Sequence, residues 1–506
     1  MLCALLFLLL FVPKNVELAR ILGIFHEKSF SHQTLGTKLL FALASKNHDV
    51  TMLTTVAPKS PPNNFAVIKI NLQGHATDSG GDLFQMYNYN VFQLLGTVNS
   101  IELQWTEAVL ADTNVQQLLL ANKTFDVVIM EQLGNHALKG FCHFYNAHCI
   151  MLSTMGSTYL TDEQMGNSYN PSYVPYRFLN YPPQMNFYQR LHNSFVILIS
   201  SLYFHWVSLP QHNAIMQKYF PNAPSLNDLM YNVSLMLVNS HYSTSIPVAN
   251  VPNVVEIGGF HIDPPKNLSH EIQKYLDSAT DGAIYFSMGS ILKSKLMDKQ
   301  KIQNILNVFG KLKQKIVWKF EDDSVDLPMN VRIVKWVSQT DILAHPNVRA
   351  FVTHGGLLST TEAIYFGIPI VGIPVFADQN FNIALAKHLG YGVSVPYSSL
   401  DEKTFGTALN MVLNNKTFKD IALQRSKIFH DQPMSPLDRA MFWIEHCIKH
   451  NGTSHLRSIA LDLRWYQYSM LDIMLSLLFS ISVISMIIWK LFKTLFRQKI
   501  FKIKKE

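Results

Sequence analysis

Residues 351–380, FVTHGGLLSTTEAIYFGIPIVGIPVFADQN, place a histidine, a glycine pair, a glutamate and an Asp-Gln pair at the ends of apolar runs. In open parallel sheets, ligands bind outside the carboxyl ends of the strands. Thr353-His354 is such an end, and Gly355-Gly356 lets a ligand approach the backbone closely. A helix expected from about Ser359 would present unpaired N–H groups to an anion. The stretch therefore predicts a phosphate site with an imidazole beside it. Ser287-Met288-Gly289-Ser290, at another strand end, offers a second wall for the same phosphates. Asp378-Gln379 follows the next apolar run and supplies acceptors and an amide suited to sugar hydroxyls. A G-x-G-x-x-G fingerprint and a Walker lysine are both missing from this stretch. Each residue also has a structural reading. Ser359-Thr360-Thr361-Glu362 matches a helix capping box, His354 fits a core position, and Asp378 suits the cap of a helix beginning near Asn380. Convergence on one rim favours binding.

A second group of reactive side chains lies near the start of the chain. GIFHEKSFSHQTLG, residues 23–36, follows the first apolar run and holds His26 and His32. Imidazole suits proton abstraction near neutral pH. FDVVIMEQL, residues 125–133, brackets another run with Asp126 at its start and Glu131 at its end. No Asp-x-Asp occurs, so a metal-held diphosphate is not expected, and no Cys/His spacing resembles a zinc site.

The elements that must position these groups form two αβ halves. Arg20–Phe25, Asp49–Thr55, Ala66–Leu72, Phe125–Met130 and Cys149–Thr154 read as strands, with a helix over Gln33–Lys46. A second set, Gly282–Ser290, Lys315–Phe320, Val331–Val337, Arg349–His354 and Ile368–Val375, is likewise separated by helical segments. Short apolar runs alternating with helices predict parallel sheets covered on both faces. SIPVANVPNVVEIGGFHIDPPKN, residues 245–267, reads as the linker because its prolines break regular structure. The segments Gly74–Gln117 and Thr161–Tyr188 read as long loops. Phe195–Val207 is very apolar but too short to span a bilayer, and suits either a core helix or one touching a membrane.

At 506 residues the chain is expected to hold more than one domain, and 48% hydrophobic content exceeds what a soluble enzyme needs. Both ends account for the excess. MLCALLFLLLFV has signal-peptide length, with cleavage expected near Val16–Ala19; the alternative is an uncleaved anchor. Met470–Trp489 is long enough to span a bilayer, with Trp465, Tyr466 and Tyr468 before it and Trp489 closing it, as an aromatic belt would. Residues 490–506 carry seven Lys/Arg and one Glu, or +6 of the total +7, which leaves +1 elsewhere and excludes the spread of basic charge that binds nucleic acid. The positive-inside rule makes that tail cytosolic and the body lumenal or extracellular. Lys502 and Lys504 add a dilysine-like ending. Asn122, Asn232, Asn267, Asn415 and Asn451 are glycosylation candidates. With Cys3 in the leader, Cys142, Cys149 and Cys447 give an odd count; two buried thiols at 142 and 149 are expected ahead of a disulfide.

VKWVSQTDILAHPNVRAFVTHGGLLSTTEAIYFGIPIVGIPVFADQNFN, residues 334–382, resembles the signature block of membrane-bound UDP-glycosyltransferases (UDP-glucuronosyltransferase-like), and its HGGLLST wording is most like the insect branch. The resemblance covers nearly the whole chain. It implies a GT-B fold of two doubly wound domains: a leader over 1–19, an acceptor domain over 20–250, a UDP-sugar domain over 251–455, a span over 470–489 and a tail over 490–506. By position, Trp336 would stack on uracil with Gln339 beside the nucleoside. Ser290, Thr353 and His354, with the Gly355-Gly356 backbone, would hold the diphosphate, Glu362 the ribose, and Asp378 with Gln379 the transferred sugar. Leu358 departs from the Asn of mammalian members, which loses a phosphate-side contact or passes it to Ser359. The family's base matches Ser31-His32, and Glu131 stands where the family has Asp. The implied reaction is inverting transfer, with glucose the favoured sugar over glucuronate, onto a hydroxyl of a small lipophilic acceptor, as in detoxifying conjugation. No cofactor beyond the UDP-sugar co-substrate is called for, and a homo-oligomer is compatible with the reading. The implied residence is the endoplasmic reticulum membrane, single-pass. The rivals are a non-catalytic binding protein on the same fold, and a hydrolase or dehydrogenase, which no Gly-x-Ser-x-Gly elbow or dinucleotide fingerprint supports.

Overall fold

Strand-forming runs buried on both faces dictate the architecture. In the computed structural model, which describes residues 18–72, 82–322 and 325–503, β1 (Arg20–Phe25) and β2 (Asp49–Thr54) are buried at every position but the first. They join β3 (Phe65–Lys69), β4 (Val127–Glu131), β5 (His148–Ser153), β6 (Leu235–Val238) and β7 (Val254–Glu256) in one parallel sheet of order β3-β2-β1-β4-β5-β6-β7. A second parallel sheet holds β8 (Ala283–Ser287), β9 (Lys315–Lys319), β10 (Val331–Val334), β11 (Val348–Thr353), β12 (Ile370–Gly372) and β13 (Gly392–Ser394), in the order β10-β9-β8-β11-β12-β13. Most of the expected leader and residues 504–506 lie outside the described residues.

The helices that matter to the site are α1 (Phe30–Ser45), α2 (Val91–Ala111), α3 (Thr113–Leu120), α4 (Tyr159–Met165), α5 (Phe187–Tyr203), α6 (Leu357–Tyr365), α7 (Gln379–His388) and α8 (Pro436–Lys449), followed by α9 (Leu471–Ile503). Each sheet reverses strand order once, β1 against β4 and β8 against β11, and these switch points are where open α/β sheets bind ligands.

Several expectations change. Of the expected loop Gly74–Gln117, residues 74–81 lie outside the described residues, and the remainder contains α2, which opens with a capping box between Asn90 and Gln93, and the start of α3. Thr161–Tyr188 begins inside α4 and ends inside α5. Strands β6, β7 and β13, three or four residues each, are too short to stand out as apolar runs. Because β7 lies inside the proline-dense linker and pairs with β6, the first sheet continues past residue 250. The chain then crosses back at its end: Ala440, Met441, Ile444 and Cys447 of α8 share one buried cluster with Leu39 and Leu43 of α1, Leu235 and Leu237 of β6, and Val255 of β7. The cover of the first sheet therefore comes in part from a segment far along the sequence.

Cys142 and Cys149 form a disulfide rather than two free thiols, with Cα atoms 5.5 Å apart, inside the usual range, and Cys447 is free and buried. The segment Phe195–Val207 is not a core helix. Phe195, Leu198 and Trp206 point outward at 52%, 56% and 74% exposure, while Val196, Ser200 and Phe204 are the buried positions.

Residues Arg457–Glu506 form a separate unit. Its helix contains Leu471–Arg497, 27 residues with an 18-residue stretch of mean hydropathy 2.3, long and apolar enough to cross a membrane. The helix continues beyond the expected end at Trp489 into the basic residues.

Candidate active site

The first switch point carries an acid–base pair. His32 sits in the first turn of α1, just after β1, and Glu131 is the last residue of β4. The imidazole Nδ1 and Glu131 Oε1 are hydrogen-bonded, and Thr154 Oγ1 donates to the same oxygen at 2.7 Å. Glu131 is fully buried. Burial alone would lower the His32 pKa, but the Glu131 charge and hydrogen bond outweigh it and carry the imidazole up to about 9. Burial would raise Glu131, and His32 with Thr154 holds it below the ordinary carboxylate range instead. Glu131 thus stands at the carboxyl end of β4, bonded to His32, and Asp126 lies at the opposite end of the strand, paired with Arg20. His26, the alternative base, is buried, and burial drives its imidazole down to about 4; its Nδ1 has no hydrogen-bond partner among the described residues.

Two carboxyls that sequence reasoning missed surround this pair. Burial, with Glu131 nearby, pushes both Glu27 and Glu102 up to about 8, so both are neutral at pH 7. Glu27 was quoted beside His26 but carried no spacing signal, and Glu102 lies in the stretch expected to be loop.

A pH dependence follows. The imidazole accepts a proton only when unprotonated, so with a pKa raised to about 9 the base form grows as pH rises. Below that value kcat/KM should increase roughly tenfold per pH unit from pH 7. A flat profile between pH 7 and 9 would rule out His32 as the group that must be unprotonated.

The second switch point gathers the residues expected to bind the donor. Thr353 ends β11, and its Oγ1 accepts from Gly355 N at 3.2 Å; Ser287 ends β8, and its Oγ accepts from Gly289 N at 3.1 Å. His354 is wedged between glycines: a Cβ on Gly289 would lie 2.6 Å from its Cε1, and one on Gly356 2.6 Å from its Nε2. Burial, helped by the Lys319 charge, brings this imidazole down to about 4, so it is neutral at pH 7. Gly356, not Ser359, is the N-cap of α6, and no side chain caps that end, so the capping-box reading of Glu362 fails. The free N–H groups of this helix end point to an anion. Ser290 lies two residues beyond Met288 on the same wall.

Glu362 is instead buried inside α6, with Oε1 hydrogen-bonded to His261 Nε2 at 3.0 Å and Oε2 accepting from Gln339 Nε2 at 2.7 Å. Gln339 also donates to Ser359 Oγ at 3.0 Å, which leaves the Ser359 O–H as a donor. Leu358 packs against the first domain's core. Trp336 is 55% exposed, its ring touched edge-on by Phe30 at 4.6 Å and faced by Lys319 Nζ at 5.5 Å. Lys319 also donates to Gly289 O at 2.8 Å. His261, Lys319 and Phe30 were not foreseen. His261 lies in the linker, where GGFHID reads as connection, and the other two end or follow apolar runs without motif context.

Asp378 is the N-cap residue of α7 but makes no side-chain cap; its Oδ2 accepts from Asn382 Nδ2 at 2.8 Å, and Asn382 also donates to Gly355 O at 2.9 Å. Gln379 uses its Oε1 to accept from Val375 N at 2.9 Å, leaving its amide N–H groups for a ligand. Asp378 and His32, from opposite domains, lie within electrostatic reach of each other. Beside them a cavity of about 140 Å³ is walled by Leu95, Val98, Tyr159, Phe178 and Phe204, with Glu102 and Arg177 among its polar groups. Among the described residues, no group of three or more His, Cys, Asp or Glu side chains is arranged to hold a metal ion.

The family described as UDP-glucoronosyl and UDP-glucosyl transferase matches residues 15–506. UDP-glucosyltransferase 2 of Dactylopius coccus is 35% identical over 464 residues, 91% of this chain and 90% of that protein. UDP-glucuronosyltransferase 2B7 of Homo sapiens is 30% identical over 482 residues, again 91% and 90% of the two chains. Among solved structures, a glycotransferase of kitacinnamycin superposes with a TM-score of 0.59 at 15% identity, over 85% of this chain and 99% of that one. A UDP-glucosyltransferase from Polygonum tinctorium gives 0.58 at 13% identity, with the same shares. These likenesses establish the two-sheet GT-B fold.

Proposed function

Since this chain belongs to the family of UDP-glucuronosyl and UDP-glucosyl transferases and is a glycosyltransferase, we propose that it moves glucose from UDP-glucose to a hydroxyl of a small lipophilic molecule, with His32 as the base. The observation that carries this reading is the His32–Glu131 pair standing within electrostatic reach of Asp378, with Gln132, the residue after Glu131, lining a largely apolar cavity.

The acceptor's hydroxyl lies against the unprotonated His32 Nε2 and gives up its proton as its oxygen attacks the anomeric carbon. Glu131, hydrogen-bonded through Nδ1, fixes the imidazole's orientation and stabilises the imidazolium. The bond from the anomeric carbon to the diphosphate oxygen breaks on the opposite face, which inverts the configuration and gives a β-glucoside. The charge left on UDP is met by the N–H groups at the start of α6 and by neutral His354. Trp336 supplies a ring face for uracil, Gln339 lies beside the nucleoside, Glu362 accepts from the ribose hydroxyls, and Asp378 with Gln379 holds the sugar. No metal ion or further cofactor takes part in this scheme.

Full-length protein in microsomes, given UDP-glucose, UDP-glucuronate or UDP-galactose with phenolic acceptors, tests the proposal. A β-glucoside formed fastest from UDP-glucose is expected. Faster use of UDP-glucuronate would overturn the choice of sugar, and no product from any donor would overturn the activity.

Two features support residence in the endoplasmic reticulum membrane with the body lumenal. A basic tail of net +6 follows the apolar helix, and all five glycosylation candidates are exposed on the body. Protease added to sealed microsomes should trim only a small C-terminal piece; loss of the main body would reverse the topology.

A further inference from the structure

Arg177 has no role in the mechanism above. It comes from the segment between α4 and α5, on the acceptor side, and lines the apolar cavity. Its Nε donates to Ser157 O at 3.2 Å, and its guanidinium carbon lies 4.7 Å from the centre of the Phe381 ring, in α7 of the opposite domain. The group is thus held at the junction of the cavity with the sugar end of the donor rim. It packs closely on Gly156, where a Cβ would fall 2.2 Å from Nη2.

The electrostatic surroundings leave this charge unanswered. Among the described residues, no carboxylate lies within ion-pair distance of Arg177. Asp378 and Asp162 act on it only at range, and both are satisfied elsewhere, Asp378 by Asn382 and Asp162 by Ser157 and Asn167. Glu102, on the cavity wall, is neutral at pH 7 because burial raises it to about 8. Among the described lining residues, Arg177 is the only side chain that carries a positive charge there. A guanidinium has five N–H donors in a fixed fork that matches a carboxylate. Here one donor is used, in a low-dielectric wall where an unpaired cation is costly.

We propose that Arg177 is an anion anchor of the acceptor site, and that the preferred acceptors are lipophilic hydroxy compounds bearing a carboxylate. This rests on the transferase reading above. A carboxylate in this fork has two conceivable sources, the acceptor or a uronosyl donor. The acceptor is favoured because Asp378 stands at the sugar end, where a second carboxylate on the sugar would be repelled.

The test compares a hydroxyaryl carboxylic acid with its methyl ester, using full-length protein and UDP-glucose. Both kcat/KM and equilibrium affinity in the presence of UDP are measured for the native chain, Arg177→Gln and Arg177→Lys, with melting temperatures recorded. The acid should be favoured roughly 10- to 100-fold, the range of a charge-assisted hydrogen-bonded pair. Arg177→Gln should abolish that ratio, and Arg177→Lys, which keeps charge but not the fork, should retain part of it. No preference in the native chain, or a ratio that survives Arg177→Gln, would overturn the anchor. So would a variant that changes the UDP-glucuronate to UDP-glucose ratio and leaves the acid-to-ester ratio intact, because the carboxylate would then be the donor's. If no donor supports turnover but acid binding still exceeds ester binding and depends on Arg177, the transferase reading fails and the anchor stands.

Discussion

His32→Ala should lower kcat by roughly 10²- to 10⁴-fold, the usual loss on removing a general base. UDP affinity should stay close to that of the native chain, because the diphosphate rim is built on β8, β11 and α6, whereas His32 belongs to α1. Glu131→Gln should also slow turnover, since a neutral amide cannot stabilise the imidazolium. The two losses should not add, because the carboxylate acts through the imidazole. Single-turnover kinetics of both single variants and the double variant, together with UDP calorimetry, decide the matter. Near-native turnover of His32→Ala would remove it as the base. Multiplying losses in the double variant would make Glu131 a wall of the cleft with its own separate effect.

Gly289→Ala should weaken UDP-sugar binding by about 10- to 100-fold, the worth of one charge-assisted hydrogen bond to phosphate. Gly289 has φ +84°, in the left-handed region that costs an alanine about 1 kcal/mol. The larger effect is steric. The new methyl would sit 2.6 Å from His354, and Gly356 closes the other side of that ring, so the imidazole can leave only by abandoning the phosphate position. Gly96→Ala is the matched control, because a methyl there meets nothing within 4 Å. UDP titration of both variants checks this, and an affinity for Gly289→Ala within twofold of the native chain would show that His354 is not a phosphate donor.

The strands with long, fully apolar runs could be read directly, because a parallel sheet buried on both faces forces a continuous apolar segment. Strands β6, β7 and β13 were not legible: three or four residues each, with β7 and β13 at sheet edges, are too few to leave a periodic trace. Helix α2 escaped because only Leu94, Asn99, Thr106, Val109 and Leu110 of its 21 residues are buried, a pattern interrupted by polar types. At the site, Glu131 ends β4 and His354 with the glycine pair follows β11, as their places at the ends of apolar runs indicated, whereas His32, in α1, was singled out by the resemblance to the family's base. His261 was not, because its partner Glu362 lies 101 residues away and no local pattern records such a pairing. Arg177 escaped for the same reason: its meaning comes from Phe381 and from an apolar cavity assembled by distant segments.

The return of α8 to the first sheet has a consequence for the newly made chain. β7, the last strand of that sheet, ends at Glu256, and the Ala440–Cys447 face that covers it is translated more than 180 residues later. At the usual ~5–20 residues per second, this is a delay of roughly 10–40 s. Throughout that interval Leu39, Leu43, Leu235 and Leu237 lack their final cover, so the acceptor half must wait on the ribosome with an open apolar surface. Such a surface is a binding site for a chaperone, and a chain truncated before Pro436 would carry it permanently. The same crossing decides how chimeras can be cut. A transplanted acceptor half needs two junctions, one after β7 and one before α8, and a single cut in the linker would pair each first sheet with a foreign lid.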